Sequence, residues 1–187
     1  EAGSGLQYTY HNAKNAETFG VELDVKKNLD FIGLRGLSFV CNAAYIYSRV
    51  RFEEGAPERD RPLAGQSPYL VNAGFFYQYD DKGISASLLY NRIGKRIESV
   101  GVPMQNQDED IPDIYEMPRN SLDLTFSKKI GKIVEIKAGI QDILNSKVEY
   151  KQFVKLTDDK GGKSEREQLI RSYRPGVDIN IGVSLRF

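Results

Sequence analysis

The chain has 187 residues, with 26 basic and 26 acidic side chains and a formal net charge of zero. This length suits one domain with its own core, and the balanced charge without a clustered Lys/Arg face argues against a nucleic-acid partner. No stretch approaches the roughly 18 apolar residues of a membrane helix, and a single cysteine, Cys41, excludes an internal disulfide.

Eight segments alternate apolar and polar side chains, the pattern of strands with one apolar and one polar face. In chain order they are 6–11, 19–26, 37–48, 69–79, 84–91, 122–127, 134–141 and 177–187. No segment of comparable length has a 3.6-residue period, so no helix is predicted. The sequence therefore predicts an all-β, antiparallel protein of about eight strands.

The last segment is the most regular. Between Val177 and Phe187 every odd position is apolar and every even position is polar or small. A strand that crosses a membrane needs about 9–11 residues, which is the length found here. The edge of a soluble sheet would give the same alternation, so the connections have to separate the two environments.

Long and short connections alternate along most of the chain. They run roughly over 12–16, 28–36, 49–67, 80–83, 99–118, 129–133 and 155–173. Outer-membrane barrels have short periplasmic turns and long outer loops. If the C-terminus is periplasmic, the long connections 49–67, 99–118 and 155–173 all lie outside, and the short connection 12–16 also falls outside. This pattern favours a transmembrane β-barrel.

Aromatic residues mark the two ends of the predicted membrane-crossing strands. Tyr69 and Tyr79 lie on one face and ten residues apart, a vertical span of roughly 25 Å for a tilted strand, which is the height of the apolar band of such barrels. The residues predicted at the outer rim are Tyr10, Tyr45 and Tyr47, and those at the inner rim are Tyr77, Tyr79 and Phe187. The arrangement resembles the two aromatic girdles of outer-membrane barrels.

Several motifs resemble TonB-dependent outer-membrane receptors, and one of them resembles the Bacteroidetes members. They are Thr18–Leu23, Leu63–Tyr69 with Asn72 and Tyr77, Tyr90–Ile97 (the Bacteroidetes-like segment), Gln141–Lys147 with Tyr150, and the terminal Phe187. The family usually has Asn where this chain has Asp142. The resemblance covers nearly the whole chain.

The resemblance implies the C-terminal part of a 22-stranded barrel, with residues 1–187 forming one barrel segment and the plug domain absent from this chain. It further implies an outer-membrane protein that imports a scarce or bulky nutrient (an iron chelate, cobalamin or a glycan) with energy delivered through TonB. Its partners would be outer-membrane lipid, the TonB complex, and the barrel assembly machinery, which would recognise the terminal strand through Phe187, Leu185 and Val183.

Ligand contacts are expected in the outer connections 49–67, 99–118 and 155–173, without a choice of single residues. The only histidine, His11, lies near a predicted loop tip and has no partner typical of a catalytic site, so no enzymatic activity and no cofactor are predicted. The acidic run 108–110 with Asp113 lacks the spacing of a defined calcium loop, and no metal site is predicted. A self-contained eight-stranded barrel with a structural or adhesive role, and a soluble β-sandwich, are the alternative interpretations.

Overall fold

A computed structural model describes residues 12–104, 110–157 and 162–186. Within them the chain forms two 3₁₀ turns, Asp30–Ile32 and Asp80–Lys82, and no helix long and apolar enough to cross a membrane. The strands are β1 (Asn15–Asn28), β2 (Leu37–Arg51), β3 (Tyr69–Tyr79), β4 (Ile84–Ile93), β5 (Arg96–Ser99), β6 (Ile114–Glu116), β7 (Arg119–Ile130), β8 (Val134–Gln141), β9 (Val148–Thr157), β10 (Lys163–Tyr173) and β11 (Asp178–Leu185).

Seven strands form one antiparallel sheet in the order β1-β2-β3-β4-β7-β8-β11. They coincide with seven of the eight predicted segments, and the eighth, 6–11, lies outside the described residues. The prediction of an all-β antiparallel fold is confirmed. β1 and β11 are the two edges of this sheet, so the described strands do not close into a barrel on their own.

A second sheet, in the order β10-β9-β6-β5, extends the first one. Ile93 faces Arg119 in the first sheet and Arg96 faces Glu116 in the second, so one unbroken register joins β4–β5 to β6–β7. Pro118 interrupts the hydrogen-bonded ladder between them because proline has no N–H to donate. Each face of β4 and β7 therefore continues onto β5 and β6.

The register between the neighbouring strands slips by two residues. Ile140 faces Leu124 in the first sheet, and continuing that register would place Val148 opposite Glu116. Glu116 faces Tyr150 instead, two residues further along. The segment 142–147 accommodates the extra residues. An even slip leaves every side chain on the face that it would otherwise occupy.

The four strands of the second sheet were not predicted. The sequence pattern predicts loops over 99–118 and 155–173, but the first contains β6 and most of the second is β10. Their period-2 signal is weak because β5 and β6 are short, β10 has no apolar face, and the alternation of β9 is interrupted at Gln152 and Phe153. Charge pairs hold them: Lys151 Nζ lies 2.7 Å from Glu167 Oε1 and 3.2 Å from Glu149 Oε2.

The apolar side chains of the seven-stranded sheet share one face, which we call the apolar face, and this face is uncovered. Val21 is 73% exposed and Ile181 is 76% exposed. A soluble sandwich would cover such a face with a second sheet. Here the second sheet continues the first one instead, so the arrangement of the described strands is not that of a sandwich.

The opposite face, which we call the polar face, is held by cross-strand hydrogen bonds between side chains. The hydroxyls of Ser85 and Ser127 lie 2.7 Å apart, and those of Ser87 and Thr125 lie 2.6 Å apart. Side-chain pairs of this kind fix the register of adjacent strands. The pleat of the sheet thus separates an exposed apolar surface from a hydrogen-bonded polar one.

The two ends of the sheet differ. The short connections 28–36, 80–83 and 131–133 lie at one end, which we call the turn end. The connections between β2 and β3, β4 and β7, and β8 and β11 lie at the other, which we call the loop end. Among the most buried apolar side chains, Ile97, Val148 and Tyr150 belong to the second sheet, and Val50 lies at the loop end of β2.

Candidate ligand-binding cleft

The three long connections meet in one cleft at the loop end, with a volume of about 390 Å³. The first connection contributes Glu58–Pro62, the second contributes Val100–Pro103, Asp110–Asp113 and Tyr115, and the third contributes Lys155 and Glu165, while Lys95 and Phe153 complete the lining. Segments that are far apart in sequence therefore share one surface, which we call the loop-end cleft.

The first wall of the cleft is fixed by a segment that crosses from β2 to β5. Val50 and Arg61 form an isolated β-bridge, and the backbone N–H of Leu63 donates to Ser48 Oγ at 3.2 Å. The N–H of Gly65 donates to the carbonyl of Ile97 at 2.8 Å. These backbone contacts hold the preceding residues, 58–62, against the second sheet.

The second wall consists of residues 100–104 and 110–113, which an antiparallel bridge between Val102 and Ile111 joins. Asp113 Oδ1 accepts a hydrogen bond from the N–H of Gly101 at 2.7 Å. Asp110 accepts from the N–H of Met104 at 2.8 Å and forms an ion pair with Arg59 of the first wall. The ion pair joins the first and second connections directly.

Lys95 and two aromatic rings form the floor of the cleft. Lys95 Nζ lies 4.5 Å from the ring centroid of Tyr115 and 4.6 Å from that of Phe153. The two rings meet edge to face at 5.7 Å. The two distances from Lys95 Nζ to the ring centroids are within the range of a cation–π contact. No carboxylate of the described residues forms an ion pair with Lys95. Its ammonium can therefore donate hydrogen bonds to an acceptor of a ligand.

The environment of Tyr115 is apolar and negatively charged. Burial raises the pKa of the Tyr115 phenol above its usual value, and the nearby carboxylates Asp113 and Glu165 raise it further. The hydroxyl of Tyr115 lies 3.4 Å from Asp113 Oδ2, to which it donates. Tyr115 therefore remains a neutral hydrogen-bond donor at neutral pH.

The chemistry of the loop-end cleft suits a polar ligand that also has an apolar surface. Two rings offer stacking area, Lys95 offers a cation, and Glu58 and Glu165 offer carboxylates. Arg59 and Asp110 neutralise each other. The lining therefore carries both signs of charge, which favours directional hydrogen bonding over bulk electrostatic attraction.

The structure brings together parts of all three predicted ligand-binding connections, 49–67, 99–118 and 155–173. Sequence reasoning missed Lys95 and Phe153, which lie on strand extensions rather than in the predicted loops. The motif Tyr90–Ile97 contained Lys95, but an isolated lysine gave no sign that it faces two rings. Residues 105–109, which include most of the acidic run, lie outside the described residues.

The structure describes two of the three residues of the predicted assembly signal, Val183 and Leu185. Val183 and Leu185 lie on the apolar face of the edge strand β11, where they are 63% and 56% exposed. The described residues leave the outer edge of this strand unpaired. Phe187 lies outside the described residues.

Comparison with known proteins gives one distant relative. The chain is similar to transferrin-binding protein A of Haemophilus influenzae, with 25% identity over 152 residues. The match covers 74% of this chain and 16% of the relative, so the chain spans about a sixth of that protein's length. No family model and no solved structure matches the chain. The similarity points to a protein of the outer membrane.

Proposed function

We propose that this chain is the C-terminal barrel segment of a TonB-dependent outer-membrane receptor that takes up a scarce or bulky nutrient. The loop-end cleft contributes to the ligand surface, and the seven-stranded sheet forms part of the barrel wall. The chain binds and admits its ligand rather than transforming it. The motifs quoted above and the similarity to transferrin-binding protein A, whose name states that it binds transferrin, support this assignment.

One observation carries the proposal. The seven-stranded sheet exposes a continuous apolar face, and all three long connections converge on a cleft at a single end of it. A barrel wall in lipid needs the first feature, because its outward side chains must be apolar. A receptor needs the second, because its ligand arrives from one side of the membrane.

The proposed partners follow from this placement. Outer-membrane lipid would cover the apolar face, and the barrel assembly machinery would recognise the terminal strand with Val183, Leu185 and Phe187. The TonB complex would contact a part of the protein outside this chain. The ligand would be a small molecule or a glycan, and iron chelates, cobalamin and oligosaccharides are the panel to test.

The experiment is a growth and uptake assay in the native host. A deletion strain is supplied with each compound of the panel as the only source of iron, cobalamin or carbon, beside a strain that lacks TonB. Loss of uptake of the same compound in both strains supports the proposal. Normal uptake of every compound in the deletion strain would contradict it.

Two variants connect uptake to the loop-end cleft. Lys95→Ala and Phe153→Ala should weaken binding of the imported compound, because they remove the floor of the cleft. Lys147→Ala is the matched control, because Lys147 is exposed and does not line the cleft. Equal binding by Lys95→Ala, Phe153→Ala and the control would place the ligand elsewhere.

The alternative of a self-contained eight-stranded barrel is tested by mass. An antibody to residues 99–118 is used to blot outer-membrane fractions. A band several times heavier than 21.1 kDa supports the receptor. A band near that mass which shifts on boiling supports the small barrel with a structural or adhesive role.

A further inference from the structure

We propose that four side chains on the apolar face, Tyr69, Tyr90, Arg92 and Asn120, bind the phosphate of a phosphorylated lipid of the outer leaflet. We call these four residues the rim cluster. The proposal rests on the outer-membrane placement proposed above. It concerns the outside of the barrel wall, and none of the four residues lines the loop-end cleft.

The register places the rim cluster on the apolar face. Arg92 of β4 lies directly opposite Asn120 of β7 and Val71 of β3. Tyr90 is two residues before Arg92, and Tyr69 is two residues before Val71, so both share this face. Leu88 continues the same face toward the turn end and is 38% exposed.

The height of Arg92 along β4 corresponds to a lipid headgroup. Arg92 lies eight residues beyond Ile84, the first residue of β4 at the turn end. Eight residues of a strand tilted by about 40° rise roughly 20 Å, close to the upper limit of an apolar band about 25 Å tall. An arginine at this level meets headgroups rather than acyl chains.

In the rim cluster the side-chain oxygen of Asn120 accepts two hydrogen bonds, whereas several N–H and O–H groups have no acceptor. Asn120 Oδ1 accepts from Arg92 Nη1 at 2.7 Å and from the Tyr90 hydroxyl at 2.8 Å. Arg92 Nε donates to the Tyr69 hydroxyl at 3.3 Å. The Tyr69 O–H and the Asn120 amide N–H groups have no acceptor among the described residues. Because a phosphate only accepts hydrogen bonds, it matches this surplus of donors.

Arg92 also lacks the carboxylate that neutralises other arginines of the same face. Arg96 Nη2 lies 2.7 Å from Glu116 Oε2, and Arg51 Nη2 lies 2.8 Å from Glu17 Oε1. Arg92 forms no ion pair with any carboxylate of the described residues, although its side chain is half-buried. A half-buried guanidinium without a counter-charge is costly next to lipid, so an anion from the headgroup layer would stabilise it.

The test measures lipid binding by the full-length protein after removal of native lipid in detergent. The probe is diphosphorylated lipid A, and its enzymatically dephosphorylated form is the matched ligand control. Native mass spectrometry gives the bound fraction. The wild-type protein should retain the phosphorylated lipid, and R92Q should retain at least about five-fold less, because a charge-assisted bidentate contact is lost.

R166Q is the matched protein control. Arg166 is exposed on β10 of the second sheet, and its replacement removes the same charge outside the rim cluster. We expect R166Q to bind like the wild type. R92K, which keeps the charge but loses the planar fork, should lie between the wild type and R92Q. If R92Q fails to assemble, Y69F provides the measurement, with an expected loss of about two-fold to three-fold.

Three results would overturn the proposal. They are equal retention by R92Q and R166Q, equal retention of the dephosphorylated lipid, and displacement of the lipid by millimolar inorganic phosphate, which would indicate a site for free phosphate. The readout is separate from nutrient uptake. A protein that retains the phosphorylated lipid through Arg92 but imports nothing contradicts the receptor proposal and leaves the lipid site standing.

Discussion

Arg119 and Asp142 form an ion pair at the polar face of the sheet, where β8 gives way to β9. Their side chains are 27% and 13% exposed. Asp142 has a φ of 52°, and its N–H donates to Asp123 Oδ1 at 2.8 Å. Because Asn and Asp tolerate this left-handed conformation better than other residues with a side chain, Asp142 can replace the Asn usual in the family that the chain resembles.

The first prediction concerns this ion pair. Arg119→Met leaves the Asp142 carboxylate without its cation, and we expect the free energy of unfolding to fall by about 1–3 kcal/mol. Asp142→Ala should cost more than Asp142→Asn, because Ala also has to adopt the left-handed φ. Urea unfolding of the full-length protein in lipid vesicles measures these differences. Arg166→Met is the control, and a loss as large as that of Arg119→Met would contradict the prediction.

The second prediction concerns pH. The pKa of Tyr115 is raised in the folded protein, so the unfolded chain loses this proton first as the pH rises above about 10. The folded state then holds more protons than the unfolded state, and its stability falls with rising pH until Tyr115 itself ionises. Tyr115→Phe should therefore reduce the loss of stability between pH 9 and about 11.

Thermal unfolding across this pH range measures the effect. Glu165→Gln should also flatten the profile, because the Glu165 charge helps to raise the pKa of Tyr115. Glu167→Gln is the matched control, because Glu167 pairs with Lys151. Parallel profiles for the wild type and Tyr115→Phe would show that Tyr115 does not titrate as inferred.

The third prediction concerns Gly94, which follows β4 and lies close to the segment that enters β3. A Cβ atom on Gly94 would lie 2.8 Å from Tyr69 Cε1 and 2.9 Å from Ser67 Oγ, closer than van der Waals contact. We expect Gly94→Ala to lower stability by about 1–3 kcal/mol through overpacking. Gly182→Ala is the matched control, because a Cβ atom there meets nothing within 4 Å. The measurement is the mobility of the protein on gels after heating to increasing temperatures. The compact form should disappear at a lower temperature for Gly94→Ala and at an unchanged temperature for Gly182→Ala.

The fourth prediction tests which face meets lipid. Ile181 and Gly182 are neighbours at the middle of β11 and point to opposite faces. Ile181→Arg places a charge on the apolar face, where it costs about 2–4 kcal/mol near the middle of a bilayer, whereas Gly182→Arg places it on the polar face. Assembled protein in outer-membrane fractions should drop for Ile181→Arg alone. An equal drop for both variants would contradict the assignment of the faces.

The sequence was sufficient to predict the seven-stranded sheet, because each of its strands pairs an apolar face with a polar one. Val21 and Ile181 show the reason. Both lie on the exposed apolar face, and because every second residue of a strand faces that side, apolar residues recur there with a period of two. The strands of the second sheet carry this constraint only weakly, because β5 and β6 are short and β10 has no apolar face. Glu167 and Lys151 stabilise their neighbours through charge, and a charge pair leaves no period in the sequence that identifies a strand.

The cleft could be predicted only at the level of its segments. The alternation of long and short connections placed 49–67, 99–118 and 155–173 at one end, and the structure joins parts of all three. Lys95 and Phe153 could not be foreseen, because they become neighbours only through the pairing of β6 with β9 and the extension of β4 into β5. Such contacts depend on the register over many residues, which local patterns do not determine.

The two-residue slip between β8 and β9 also limits how this region can vary in evolution. An insertion or deletion of two residues in 142–147 that moved the register would keep Phe153 on the polar face and shift it two positions along the strand, whereas a change of one residue would turn Phe153 onto the apolar face and Tyr150 onto the polar one. Segments of even length can therefore be gained or lost here while the strands below remain as they are. The loop-end cleft can diverge between relatives in such steps without a redesign of the sheet that supports it.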